Sequence, residues 1–263
     1  MANDKPYYSK KPIASVEALA QCLGVTPERL LLIAKNAEKS YIEFTVYTGK
    51  DKTNLKERVL HEPKPFLKSI QKKINREIFE HIIYPEYLHG GLKERDYVTN
   101  VSLHAGAKTI VAMDIQDFYP SIQRTHVQDI FTLLCKFPPA ISSLITDLIT
   151  INGRVAQGAC CSSYIANLMF FNSEYGRISK FRSQGLTYTR LLDDITISSR
   201  VVLEEKKISH AIESVASLFT KSGLKLHPRK TKVEQSSDTK AKFEVTGLWA
   251  KHGNPKIRKK DRH

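Results

Sequence analysis

Cysteine is scarce in this chain: 263 residues contain only Cys22, Cys135, Cys160 and Cys161. None falls in a Cys-x-x-Cys spacing or a Cys/His pattern, which excludes a zinc-finger or disulfide-framework reading. The vicinal Cys160-Cys161 is a poor disulfide candidate, so reduced thiols in a cytoplasmic protein are expected. No apolar run approaches the roughly 18 to 20 residues that a bilayer-spanning helix needs, so no membrane segment is expected. Met1-Ala2-Asn3-Asp4-Lys5-Pro6 carries no apolar leader, so secretion is not expected either. Internal repeats and low-complexity tracts are lacking. Acids are outnumbered, with 27 Asp and Glu against 41 Lys and Arg and a formal charge of +14. That surplus points to a polyanionic partner, since each neutralised phosphate releases counterions; a ribosomal or membrane-surface protein would share it. The length suffices for a good core in one or two domains.

In a chain short of acids, the places where acids gather are informative. Asp114 follows the strand-like run Thr109-Ile110-Val111-Ala112-Met113. Asp193-Asp194 lies between two runs rich in Leu, Ile, Thr and Tyr, a hairpin pattern with the acids at its turn. Adjacent carboxylates repel and raise each other's pKa unless cations neutralise them. Hard oxygen ligands suit Mg²⁺, which is normally completed by water and substrate phosphates. Two such ions can stabilise the attacking and leaving oxygens of a phosphoryl transfer. Either string alone is equally an ordinary acidic turn.

Together the strings belong to a longer series. Residues 114–122, Asp-Ile-Gln-Asp-Phe-Tyr-Pro-Ser-Ile, and Leu191-Leu192-Asp193-Asp194 resemble the two catalytic blocks of bacterial reverse transcriptases. The retron-type enzymes are the nearest resemblance, with group II intron and defence-associated relatives behind them. Between the blocks, Gln157-Gly158 and the stretch to Leu168 resemble the family's Gln-Gly loop and following helix. After them, residues 223–231 resemble the segment ending in a Lys-Thr pair, and Val245-Thr246-Gly247-Leu248 the primer-grip hairpin. Upstream, residues 56–63 and 67–71 resemble the fingers signature, while His89-Gly90-Gly91, Asn100 and His104 precede the first Asp as in the family. The blocks keep the family's order over residues 40–250.

The resemblance implies an α+β right-hand polymerase: fingers and palm, with an antiparallel palm sheet backed by helices. It divides the chain into an N-terminal helical extension (1–40), fingers (41–105), palm (106–250) and a basic tail (251–263). A helical thumb would follow in the family, so the thumb is expected to be missing or minimal, its role falling to another subunit or to RNA unless the chain is truncated.

Local patterns add expectations. Residues 13–37 read as two helices, the second opening at Thr26-Pro27, either a packing cap or the family's extension. Residues 41–47 and 58–60 read as a hairpin turning at Gly49-Lys50-Asp51. Residues 65–83 read as one helix with Phe66, Ile70, Ile74 and Ile78 on its apolar side; Lys64, Lys68, Lys72, Lys73 and Arg76 are either solvated charge or phosphate contacts. Residues 127–151, 162–180 and 203–222 read as helices, the last ended by Gly223.

The resemblance also assigns roles. Asp114, Asp193 and Asp194 are the catalytic metal ligands, with the Ile115 carbonyl, for two Mg²⁺ ions or Mn²⁺ in their place. Tyr119 is the gate that excludes a 2′-hydroxyl, or else a core aromatic. Lys56 and Arg58 grip the triphosphate, where a guanidinium fork suits phosphate. Gln157 and Gly158 place a slim backbone beside nucleotide and template. Lys230 is a proton donor to pyrophosphate or a charge near it. Thr246, Gly247 and Leu248 form the primer grip. Two departures stand out: Leu191 replaces the usual Tyr before the Asp pair, and Ala156, Cys160 and Ser163 stand where the Gln-Gly block usually has prolines. Both touch substrate positioning, and neither removes a metal ligand. The expected activity is RNA-directed DNA polymerisation from dNTPs, copying a noncoding RNA into DNA in antiphage defence, with an accessory effector or thumb-supplying subunit. The alternatives are a defence-associated enzyme making untemplated or protein-primed DNA, and a catalytically silent RNA-binding scaffold.

Overall fold

The run Thr-Ile-Val-Ala-Met-Asp forms a strand buried along nearly its whole length, as a continuous apolar run does in a sheet covered on both faces. In the computed structural model, which describes residues 4–48, 55–238 and 241–250, this strand is an interior strand of a five-stranded sheet. In chain order the strands are β1 (Leu88–His89), β2 (Thr109–Asp114), β3 (Leu186–Leu191), β4 (Asp194–Ser199) and β5 (Lys232–Gln235). Their spatial order is β5-β2-β4-β3-β1. The run β5-β2-β4-β3 is paired antiparallel throughout, but β1 pairs parallel with β3 through Leu88↔Arg190 and His89↔Leu191. The sheet is therefore mixed rather than wholly antiparallel. A two-residue edge strand has no alternation from which its direction could be read.

The register sorts the side chains. Ile110, Asp114, Asp194, Ser198 and Thr189 share one face; Met113, Ile195, Ile197, Tyr188 and Arg190 share the other. Helix α1 (Glu174–Ser183) packs on the second face, with Phe181 stacked on Tyr188 at 5.9 Å. Helix α2 (Glu205–Thr220) adds Phe219, 4.7 Å from Phe170, and Gly223 at φ +75° ends the segment that follows it. On the first face, Ile110 joins Val101, Phe243, Val245 and Leu248 in one apolar cluster.

This sheet belongs to one of two compact units, formed by residues 1–5, 84–118 and 170–263; the other comprises 6–83 and 119–169. In that second unit, Ser15 caps helix Val16–Leu23 and Thr26 caps Pro27–Lys35, as Ser and Thr at a helix start do by accepting a free backbone N–H. Strands Tyr41–Thr48 and Lys56–Pro63 pair as a long ribbon, whose expected turn at 49–51 lies outside the described residues.

Three expected helices are shorter than their sequence patterns. The helix of 65–83 ends at Glu77 and passes through a 3₁₀ turn into the strand Ile82–Ile83. Its buried side is Leu67, Ile70, Gln71 and Ile74, while Phe66 is exposed beneath the Arg29 guanidinium. The segment 127–151 is two helices, Arg124–Asp129 and Pro139–Ile149, joined through a π turn. Lys136 at φ +62° and the Pro138-Pro139 pair break it, since proline cannot donate within a helix. The segment 162–180 divides into Ser162–Leu168 and α1, where the chain passes between units.

Candidate active site

Antiparallel pairing of β3 and β4 leaves a two-residue turn, Leu192-Asp193, with Leu191 opposite Asp194. Leu192 sits at φ +59°, a left-handed conformation that bulky residues seldom adopt. On the other side of β4, Asp194 is the register partner of Asp114 at the end of β2. The chain thus brings Asp114, Asp193 and Asp194 to one end of the sheet. The Ile115 amide donates to the Asp193 carbonyl at 3.0 Å, locking the first block to the second. Beyond β2, Ile115 bridges Leu226 through bonds of their neighbours, Gln116 N–H to the Lys225 carbonyl (2.9 Å) and His227 N–H to the Asp114 carbonyl (2.8 Å). The Ile115 carbonyl lies outside that pair of bonds.

Electrostatics follow from this crowding. Asp194 is partly buried, and burial, with Asp193 and Asp114 nearby, pushes its carboxyl up to about 6 against the pull of Lys230. The Lys230 ammonium donates to Asp114 Oδ2 at 2.6 Å, so the cluster already attracts one cation. Among the described residues no three His, Cys, Asp or Glu side chains converge as a closed metal cage. The donors nevertheless fit a hard divalent ion that keeps water and substrate oxygens in its shell: clustered carboxylates, with a backbone carbonyl available.

Behind the site lie residues without an assigned role from sequence. Arg190 is fully buried in β3 and donates to both Glu174 oxygens, at 2.7 and 2.8 Å. Its Nη1 donates to the Leu192 carbonyl at 3.0 Å. The signal was visible, an arginine in the middle of an apolar strand; its partner, sixteen residues away on α1, left no local trace. His104 hydrogen-bonds Ser198 of β4 and Thr189 of β3, both at 2.7 Å, tying the two strands together. Burial drives this imidazole down to about 3, so it is neutral. Gly90, at φ +83°, leaves room for the turn: a Cβ there would lie 2.9 Å from Leu192 Cγ.

The remaining expected residues fall in two groups. Thr246 and Gly247, at φ +46° and +86°, form the turn between strands Glu244–Val245 and Leu248–Trp249, and Val245 and Leu248 anchor that hairpin in the apolar cluster. In the other unit, Arg58 is exposed on the ribbon opposite Val46, beside Lys56 near the end of the strand. The Gln157 carbonyl accepts from the His61 amide at 2.9 Å. Gly158, at φ +101°, would place a Cβ 3.7 Å from the His61 carbonyl. Val59, His61, Pro120, Asn152, Arg154 and Gln157 help to line a cavity of about 460 Å³. Tyr119 lies within the first block and is half-buried in that unit.

Residues 50–249 match the family described as reverse transcriptase (RNA-dependent DNA polymerase). The chain is 48% identical over 259 residues to the Retron Se72 reverse transcriptase of Salmonella heidelberg, covering 98% of this chain and 68% of that protein. It is 31% identical over 269 residues to the Retron Ec48 reverse transcriptase of Escherichia coli, covering 96% of this chain and 63% of the relative. To the Retron Ec86 reverse transcriptase of Escherichia coli it is 28% identical, over 88% of this chain and 69% of that protein. Among the described residues, no helix is long and apolar enough to cross a membrane.

Proposed function

The chain belongs to the reverse transcriptase family, as a retron-type RNA-directed DNA polymerase, and from that premise we propose how its residues divide the work. They extend a primer with dNTPs, copying a noncoding RNA into DNA. The observation that carries this reading is the register pairing of Asp114 with Asp194, with Asp193 in the adjoining turn. These carboxylates and the Ile115 carbonyl would hold divalent ions. Enzymes of this family generally depend on a divalent metal, and Mg²⁺ suits an all-oxygen donor set completed by phosphates. When bound, a pair of such ions stabilises the charge on the attacking and leaving oxygens.

The protein's own part is binding and placement. Lys230 exchanges its hold on Asp114 for the departing phosphates, which offer an ammonium the same anionic chemistry. Lys56 and Arg58 bind the triphosphate, and Tyr119 blocks a 2′-hydroxyl. Gln157 and Gly158 border the nucleotide and template, and Thr246, Gly247 and Leu248 support the primer end. We retain residues 41–105 as fingers and 106–250 as palm in this scheme. A net charge of +14 supports extended contact with RNA and DNA phosphates.

The test is extension of a primer on an RNA template by the purified chain, with dNTPs and Mg²⁺. Template-dependent addition that disappears in Asp114→Asn supports the proposal. Addition undiminished in that variant, or product independent of the template, contradicts it.

A further inference from the structure

A buried arginine in the middle of a strand needs a reason. Arg190 and Glu174 are 0% and 1% exposed at their side chains. Desolvating two charges costs about what their attraction returns, so apolar residues of similar volume would hold this core as well. What an apolar pair could not do is reach the catalytic turn. The guanidinium fork spends Nε and Nη2 on the two oxygens of Glu174, which also accepts from the Tyr188 hydroxyl at 2.7 Å. Phe170 lies beneath the guanidinium carbon at 5.1 Å, and the Arg190 amide donates to the Tyr87 carbonyl at 2.8 Å. Held on these sides, Arg190 presents Nη1 to the Leu192 carbonyl.

That carbonyl belongs to the residue at φ +59°, immediately before Asp193. A left-handed leucine is strained, so a side chain that fixes this turn opposes its relaxation. Arg190 does so from the helix-covered face, opposite the face that carries Asp114 and Asp194. Gly90 completes the grip by admitting the Leu192 side chain.

We propose that Arg190, anchored by Glu174, is a positioning residue for nucleotide addition: it fixes the Leu192 carbonyl and thereby the turn that presents Asp193 and Asp194. This rests on the reading of those aspartates as the catalytic cluster. Lysine at 190 can still pair with Glu174 but cannot also fork to the turn.

The experiment compares full-length wild type, Arg190→Lys, the double variant Arg190→Met with Glu174→Leu, and Asp193→Asn. Thermal melting, single-nucleotide addition and Mn²⁺ binding by electron paramagnetic resonance without nucleotide are measured for each. A folded Arg190→Lys should keep its dNTP KM within about threefold while kcat falls about 10- to 100-fold, the penalty expected for a misplaced catalytic group. Its Mn²⁺ affinity should weaken several-fold, and the folded double variant should behave alike. Wild-type kcat and Mn²⁺ affinity in either folded variant would overturn the proposal. So would unfolding of both, which would make the pair a core strut only. If instead Asp193→Asn retains full activity, it is the catalytic reading of the aspartates that fails.

Discussion

Asp194 stands directly opposite Asp114, register partners on neighbouring antiparallel strands. Burial, with repulsion from Asp193 and Asp114, pushes the Asp194 carboxyl up to about 6. A carboxyl whose folded pKa lies above its unfolded value takes up protons on folding, so stability falls as pH rises from about 4 to about 6 and stays lower above that. Asp194→Asn should therefore stabilise the metal-free protein by about 1–3 kcal/mol at pH 8, with little effect at pH 4. Chemical denaturation in chelator at both pH values measures this. Destabilisation at pH 8 would show that Asp194 is not held against repulsion.

His104 titrates the other way. Its folded pKa of about 3 lies below the unfolded value of 6.5, so unfolding takes up a proton below pH 6.5 and stability is lost as pH falls. His104→Ala should cost about 2–4 kcal/mol at pH 7.5, by leaving a cavity and the Ser198 and Thr189 hydroxyls without this partner. The gap to wild type should shrink by about 2 kcal/mol at pH 5, because only the wild type pays for keeping this imidazole neutral. A gap independent of pH would contradict the burial of a neutral ring.

Gly90→Ala forces a side chain onto φ +83° and sets its Cβ against Leu192. It should destabilise by about 1–3 kcal/mol and lower kcat more than KM. Melting curves and steady-state addition test this; unchanged kcat would mean that the turn tolerates displacement.

Tyr119→Ala should admit ribonucleotides, with less loss of dNTP use than a metal-ligand substitution causes. The ratio of kcat/KM for dNTP and rNTP should fall at least about tenfold, as expected when a steric clash is what excludes the wrong sugar. Unaltered discrimination would make Tyr119 a packing residue.

Much of the site was legible because its signals are local. A strand ending in Asp114, a hairpin turning at Asp193 and a Gly-turned hairpin at 246–247 each follow from a few adjacent residues. What escaped depended on distance or on competing patterns. The apolar spacing of 127–151 runs through Pro138-Pro139, where the missing amide overrides periodicity. Phe66 has the spacing of a core residue but lies outside the buried stripe set by Leu67, Ile70 and Ile74. The Arg190–Glu174 pair and the His104 bridge join residues 16 and more than 80 positions apart, which no window of sequence contains.

On the proposed reading, Asp114, Asp193 and Asp194 act as one cluster in nucleotide addition. Single-turnover addition by Asp193→Asn, with RNA binding measured in parallel, is the decisive measurement. Addition should be lost with RNA affinity unchanged or slightly raised, because a negative charge near phosphate has been removed. Substantial polymerisation by the purified, folded variant would contradict it.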